Sequence, residues 1–243
     1  MKLLPQLTKK VIGYTNNGLP IHRYCTEDGA KTEKPGVFIT CRIHSGEVGG
    51  AHALDGMLKF FATAEGAKLL EKICLWVVPI VDGDGVAAGA YGKDQQYGDM
   101  NRSYRANRAE IWAVVQDMYR WQERCRALAF LDMHSPSHEM RGVTMPVYLN
   151  TERESLIERQ TMVQCVNQHV GPTGMELCRV DMPSFNGAAT TGGAFATNTL
   201  GIPSFTWEVS YQGADRGDVF TLKEYHAYGE CMAKGLVDYL MSK

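Results

Sequence analysis

The sequence predicts an α/β fold: a mixed, mainly parallel sheet with helices on both faces. Two observations carry this. Apolar runs of about five to eight residues alternate with longer stretches of helical periodicity, the pattern of βαβ units. Residues able to carry chemistry then fall where several of these runs give out, and open α/β sheets collect their sites at the carboxyl ends of strands.

The elements follow in order. Asn16-Asn17-Gly18 reads as a hairpin turn, because Asn and Gly tolerate the positive φ that tight hairpins need. It leads into a strand over Ile21–Thr26. Val37–Cys41 (VFITC) is short, apolar and rich in β-branched residues, as a buried strand should be. Helical spacing follows over Val48–Thr63. Ile73–Ile80 is the next buried strand, and Asp82-Gly83-Asp84-Gly85 marks a loop leaving it. A helix over Asn107–Arg126 precedes strands at Leu128–Met133 and Pro146–Asn150. A further helix covers Arg153–Val170. Gly187–Gly193, made of small residues, reads as a mobile loop. Ser204–Val209 is the last strand and Leu222–Met241 the closing helix.

The bulk numbers narrow the function class. At 243 residues, with no repeat, low-complexity tract or linker, residues 1–243 read as one domain. A hydrophobic content of 44 %, a charged content of 21 % and a net charge of -2 describe an ordinary soluble protein. They give no reason to expect nucleic acid or an anionic membrane as partner. MKLLPQLTKKVIGY lacks the apolar core and cleavage site of a signal peptide, and no apolar run is long enough to span a bilayer. The 7 cysteines are scattered and never spaced as CxxC. That favours reduced thiols in a cytoplasmic protein, each packing as a small apolar residue. Cys41, three residues before His44, reads the same way.

Four short motifs carry chemistry. CRIHSGEVGG places His44 and Glu47 three residues apart, on one side of a helix start. GDMNRSY (98–104) supplies Asp99, Asn101 and Arg102. FLDMHS puts His134 directly after an apolar strand. SFTWEV puts Glu208 inside one. Each has a bland reading: a solvated helix face for the HxxE pair, a satisfied core histidine for His134, an edge-strand carboxylate for Glu208, a surface ion pair for Arg102. As a set they supply two imidazoles and two carboxylates. A catalytic zinc typically takes three N or O ligands and keeps one position open. His44, Glu47 and His134 would make such a shell, with one zinc per chain, and leave Glu208 free as general base. Arg102 offers a planar fork suited to a carboxylate. Asp99 could accept the second N–H of a ligating imidazole.

The ordered set HxxE, a loop of NPDG type, DxNR, a strand ending in His and a strand bearing Glu resembles the zinc metallocarboxypeptidases of the carboxypeptidase A type. The resemblance spans roughly residues 12–240 and is nearest to small bacterial members such as murein-peptide amidases. It implies zinc on His44, Glu47 and His134, with Glu208 as general base. It also implies that Asn101 and Arg102 hold the terminal carboxylate of a peptide or peptide-like substrate, with Asp99 behind His44. The implied activity is hydrolysis of an amide bond next to a free carboxylate. The sequence departs from the family at two points. The arginine usual in the loop before Asn101-Arg102 is missing, and Lys93 is the nearby cation that could stand in for it or be a plain loop lysine. The tyrosine usual in the mobile loop before Glu208 is also missing; by the Gly192-Gly193 landmark, its place falls near Ala188. Two further readings stay open: a deacylase of N-acyl amino acids, of the aspartoacylase or desuccinylase type, and a non-catalytic metal-dependent peptide binder.

Overall fold

The computed structural model describes residues 4–26, 31–93, 98–104, 108–135, 141–181, 186–213 and 218–243. The strands are β1 Thr8–Tyr14, β2 Pro20–Cys25, β3 Pro35–Cys41, β4 Cys74–Val78, β5 Arg126–His134, β6 Val143–Met145, β7 Arg179–Val180 and β8 Ser204–Val209. They form one sheet in the order β1-β2-β4-β3-β5-β8-β6-β7. The central pairs β4–β3, β3–β5 and β5–β8 are parallel, and the antiparallel pairs lie toward the two sides. The expected mixed, mainly parallel α/β architecture is what the chain adopts.

The helices are α1 Val48–Phe61, α2 Ala64–Leu70, α3 Gly83–Ala88, α4 Ala109–Arg124, α5 Arg153–Val170, α6 Gly192–Asn198 and α7 Leu222–Met241. Strand residues alternate between two cores, as the period of two requires. Val37, Ile39, Leu131, Met133, Phe205 and Trp207 face the layer built from α1, α5 and α7. Phe38, Trp76, Val78 and Phe130 face the layer built on α4, with Ile111, Val114, Met118 and Trp121. Every residue of β3 is buried, so the strand shows no polar alternation. Each large apolar side chain so covered contributes about 1.5–3 kcal/mol. α1 and α7 pack closely enough that a methyl group at Gly229 would collide with the Ala53 backbone.

Several boundaries differ from the sequence reading. The Asp82 loop is a short helix, because the Asp82 side chain accepts from Gly85 N and caps α3. The helix expected to Thr63 ends at Phe61; Thr63 instead accepts from Gly66 N and starts α2. Gly187–Gly193 is only partly loop, since Thr191 caps α6 from Gly192. Pro146–Asn150 is not a strand; the pairing segment is Val143–Met145, just before it. The start of the helix expected from Asn107 lies outside the described residues. Its far end stops at Arg124, because extended Cys125 hands the chain to β5. The Asn16–Gly18 turn does join a hairpin, β1–β2, with Gly18 at φ +81°. Among the described residues, no helix is long and apolar enough to cross a membrane.

Candidate metal centre

β3 ends at Cys41, and Arg42 then turns the chain through a left-handed φ of 54°, unusual for a residue with a side chain. The Arg42 Nε donates to Ser45 O at 2.7 Å and holds that turn. Glu47 is the residue before α1. The tight turn brings His44 Nδ1 to 2.9 Å from Glu47 Oε1. On the other side of the ring, His44 Nε2 lies 2.8 Å from Asp99 Oδ1. Asp99 is placed by its own short turn, in which Asn101 N donates to the same Oδ1.

His134 closes β5, the neighbour of β3. Its Nδ1 lies 2.8 Å from Glu47 Oε2, and Ser135 N donates to that oxygen at 3.2 Å. Its Nε2 lies 2.9 Å from Asp132 Oδ2. Asp132 is itself fixed across the sheet by Thr40 Oγ1, which donates to Oδ1 at 2.7 Å. Both imidazoles therefore turn Nδ1 toward Glu47 and rest Nε2 against an aspartate. This is the arrangement in which a carboxylate fixes the tautomer and orientation of a ligating histidine.

His44, Glu47 and His134 are buried, and one ligand atom from each lies within 4.8 Å of the others. The donor set is N, N and O, which suits zinc. Burial disfavours protonated His44, but hydrogen bonds from the ring to Asp99 and Glu47 outweigh it and raise its pKa. His134 is likewise opposed by burial and raised well above the ordinary value by Asp132 and Glu47. Glu47 would be raised by burial, yet its two imidazole partners hold it far below the usual carboxylate range. Three buried polar side chains, two with their outer nitrogens already tied, form a cradle that a dication would complete.

Glu208 sits in β8 with His134 as its register partner on β5 and Thr144 on β6. β8 is thus an interior strand, and the edge-strand reading of Glu208 does not hold. The side chain is partly exposed, yet its Oε2 is covered and has no hydrogen-bond partner among the described residues. Burial pushes its pKa up, to about 6, with Glu47 adding to the rise and the His134, Lys93 and His44 charges opposing it. A buried carboxylate oxygen without a donor is costly, and one beside a ligand cradle is fitted to receive a proton.

The remaining expected residues surround this cradle. Asn101 is buried; its Nδ2 lies 3.2 Å from His134 Nε2, and its Oδ1 accepts from Gly192 N at 3.0 Å. Arg102 has a half-exposed side chain at the rim, donating to Asn101 O at 3.2 Å. Lys93 reaches inward, with Nζ 2.8 Å from Glu47 Oε1. So the structure brings Asp99, Asn101 and Lys93 onto the cradle and places Arg102 at its rim, with Nη1 3.6 Å from Asp99 Oδ2.

Three residues were missed. Asp132 has a sequence signal: it lies two residues before His134 on one strand, so both side chains share a face. Ser135 contributes a backbone N–H, which no side-chain pattern can reveal. Tyr148 follows β6 and packs its ring against Gly187, where a Cβ would fall 2.7 Å from it. Burial raises its phenol, and the Glu208 charge adds to the rise. The cleft thus has a tyrosine beside the 187 loop, though from another segment than the one where Ala188 stands.

Known proteins are similar to this chain in sequence and in fold. Residues 1–126, just over half the chain, match the model of the zinc carboxypeptidase family. Cytosolic carboxypeptidase 6 of Caenorhabditis elegans is 23 % identical over 235 residues, covering 88 % of this chain and 50 % of that protein. Cytosolic carboxypeptidase 2 of Danio rerio is 25 % identical, covering 85 % of this chain and 30 % of the relative. The chain therefore spans half or less of the length of these relatives. A metallo-carboxypeptidase from Burkholderia cenocepacia shares the fold at a TM-score of 0.82 and 18 % identity, over 98 % of this chain and 66 % of that one. A Pseudomonas aeruginosa metallo-carboxypeptidase, solved with (2-guanidinoethylmercapto)succinic acid, superposes at 0.79 and 18 % identity, with the same 98 % and 66 % coverage. The chain belongs to the zinc carboxypeptidase family.

Proposed function

We propose that the chain is a zinc-dependent hydrolase that cleaves an amide bond next to a free carboxylate. The observation that carries this is the pairing of a three-residue ligand cradle with a buried Glu208 oxygen that has no partner among the described residues. His44, Glu47 and His134 would hold one zinc. Zinc there would supply Lewis acidity to the scissile carbonyl and lower the pKa of water toward ~7. Asp99 and Asp132 keep the two imidazoles oriented. Glu208, held near neutrality by burial, takes the proton of the attacking water and returns it to the leaving amine. Arg102, half-exposed at the rim and 3.6 Å from Asp99 Oδ2, receives the substrate's carboxylate with the rest of its fork, and Asn101 holds the floor beside His134. Lys93, once drawn away from Glu47, is the cation within reach of the developing oxyanion.

The substrate is a peptide or peptide-like molecule, in keeping with the family and with the succinic-acid ligand of the Pseudomonas neighbour. We further propose that residues 1–243 act as one catalytic domain and that the protein works in the cytoplasm. The cytosolic names of the relatives and the seven free cysteines support that location. A hydrolysis screen over peptides, murein peptides and N-acyl amino acids, with and without chelator, tests the reading. Chelator-sensitive release of a C-terminal residue is expected. Cleavage of acyl amino acids alone would replace it with the deacylase reading, and zinc binding without turnover on any of these would leave a peptide binder.

A further inference from the structure

The segment carrying Lys93 is strapped to the HxxE turn. Gly46 N donates to Tyr91 O at 2.8 Å, and Ser45 Oγ donates to Ala90 O at 2.9 Å. Gly92 passes so close, at φ +103°, that a Cβ there would fall 2.4 Å from Ser45 N. This tight passage delivers the next residue, Lys93, into the cradle. Its Nζ meets Glu47 Oε1, the same oxygen that faces His44 Nδ1. The Tyr91 ring centroid lies 5.3 Å from that ammonium.

The ammonium and a zinc ion would be drawn to one carboxylate, and two cations on one carboxylate oxygen repel. Lys93 can yield. Its side chain is 38 % exposed against 3 % for Glu47, and it has a flexible four-carbon stem. The Tyr91 face offers the displaced ammonium a nearby cation–π rest.

We propose that Lys93 is a built-in competitor for the metal. Its ammonium holds the Glu47 carboxylate when the site carries no zinc, gives that carboxylate up on loading, and reclaims it as zinc leaves. This deepens the zinc reading above and rests on it. The consequence is a site whose affinity is held below what its three ligands alone would give.

The experiment is a zinc titration of chelator-stripped parent, Lys93→Met and Lys93→Arg against a chromophoric chelator, with circular dichroism as the folding control. Lys93→Met removes the charge and keeps the stem, and is expected to bind zinc about tenfold more tightly. Lys93→Arg keeps a competing cation and is expected to stay near the parent. Equal or weaker binding by Lys93→Met overturns the proposal, since a supporting residue could only lose affinity when removed. If stripped Lys93→Met does not stay folded, zinc loss from the loaded proteins into excess chelator gives the answer. Slower loss than from the parent supports the competitor, and equal or faster loss overturns it. Absence of zinc binding in the parent itself would instead remove the metal reading and this inference with it.

Discussion

Asp132 Oδ2 lies 2.9 Å from His134 Nε2, two residues along the same strand, with Thr40 Oγ1 fixing the other oxygen from the neighbouring strand. The Nδ1 edge of His134, turned toward Glu47, is therefore aimed by a carboxylate held at both of its oxygens. Replacing Asp132 by Ala should weaken zinc by about 10–100-fold while the fold persists. A chelator competition measures this. Unchanged affinity would mean that packing alone orients the ring.

Glu208 gives two expectations from one substitution. Glu208→Gln keeps shape but cannot take a proton, so it should retain zinc and lose about 10²–10⁴-fold in kcat. Near-parental turnover would remove Glu208 from the chemistry.

The second expectation concerns stability after the metal is stripped. The folded carboxyl titrates at about 6 against an ordinary 4.5, because burial penalises its charge. The folded state holds the extra proton across that interval, so the parent loses stability as pH rises from about 4.5 through 6. Above 6 the full penalty, on the order of 2 kcal/mol, is present. Stripped Glu208→Gln should then be the more stable protein at pH 7, with the gap closing toward pH 4.5. Denaturant titrations at both pH values would show it; a gap that is absent or grows on acidification contradicts it.

Arg102 stands at the rim rather than in the cradle. Arg102→Ala should leave zinc binding unchanged and should harm substrates with a free carboxylate far more than their amides, since a charge-assisted pair is lost only in the former. Equal losses on the two substrate types would make Arg102 structural.

Gly92→Ala tests the strap. The new Cβ meets Ser45 N at 2.4 Å, and the residue must keep φ near +103°. A strained backbone position of this kind costs about 1–3 kcal/mol. The variant should melt earlier and bind zinc less well, because the clash falls on the His44–Ser45 backbone. Parental melting would show that the backbone at Gly92 accommodates the side chain without strain.

Much of this was legible because local signals agreed with burial. Arg153–Val170, Ser204–Val209 and Leu222–Met241 have the ends that periodicity assigns them. α7 even carries a reciprocal cap between Thr221 and Glu224. β1 was not legible: it is an outer strand with Lys9, Lys10 and Val11 exposed, so no apolar run marks it. Pro146–Asn150 misled because Val147 and Tyr148 carry strand-like apolar character while serving a turn in which Tyr148 N donates to Thr151 Oγ1. In the site, His44, Glu47, His134 and Glu208 could be named from residue type and order. Their meeting depends on β3, β5 and β8 lying side by side, which the spacing of the motifs does not encode. The Lys93–Glu47 contact arises from the backbone path at Gly92, which a sequence does not display.

The most direct test is anomalous diffraction at the zinc edge from crystals of the zinc-loaded protein. One strong peak per chain is expected, at the ordinary ~2.0–2.2 Å from His44 Nδ1, His134 Nδ1 and a Glu47 oxygen. A peak held by other residues, or none where these three converge, would contradict it.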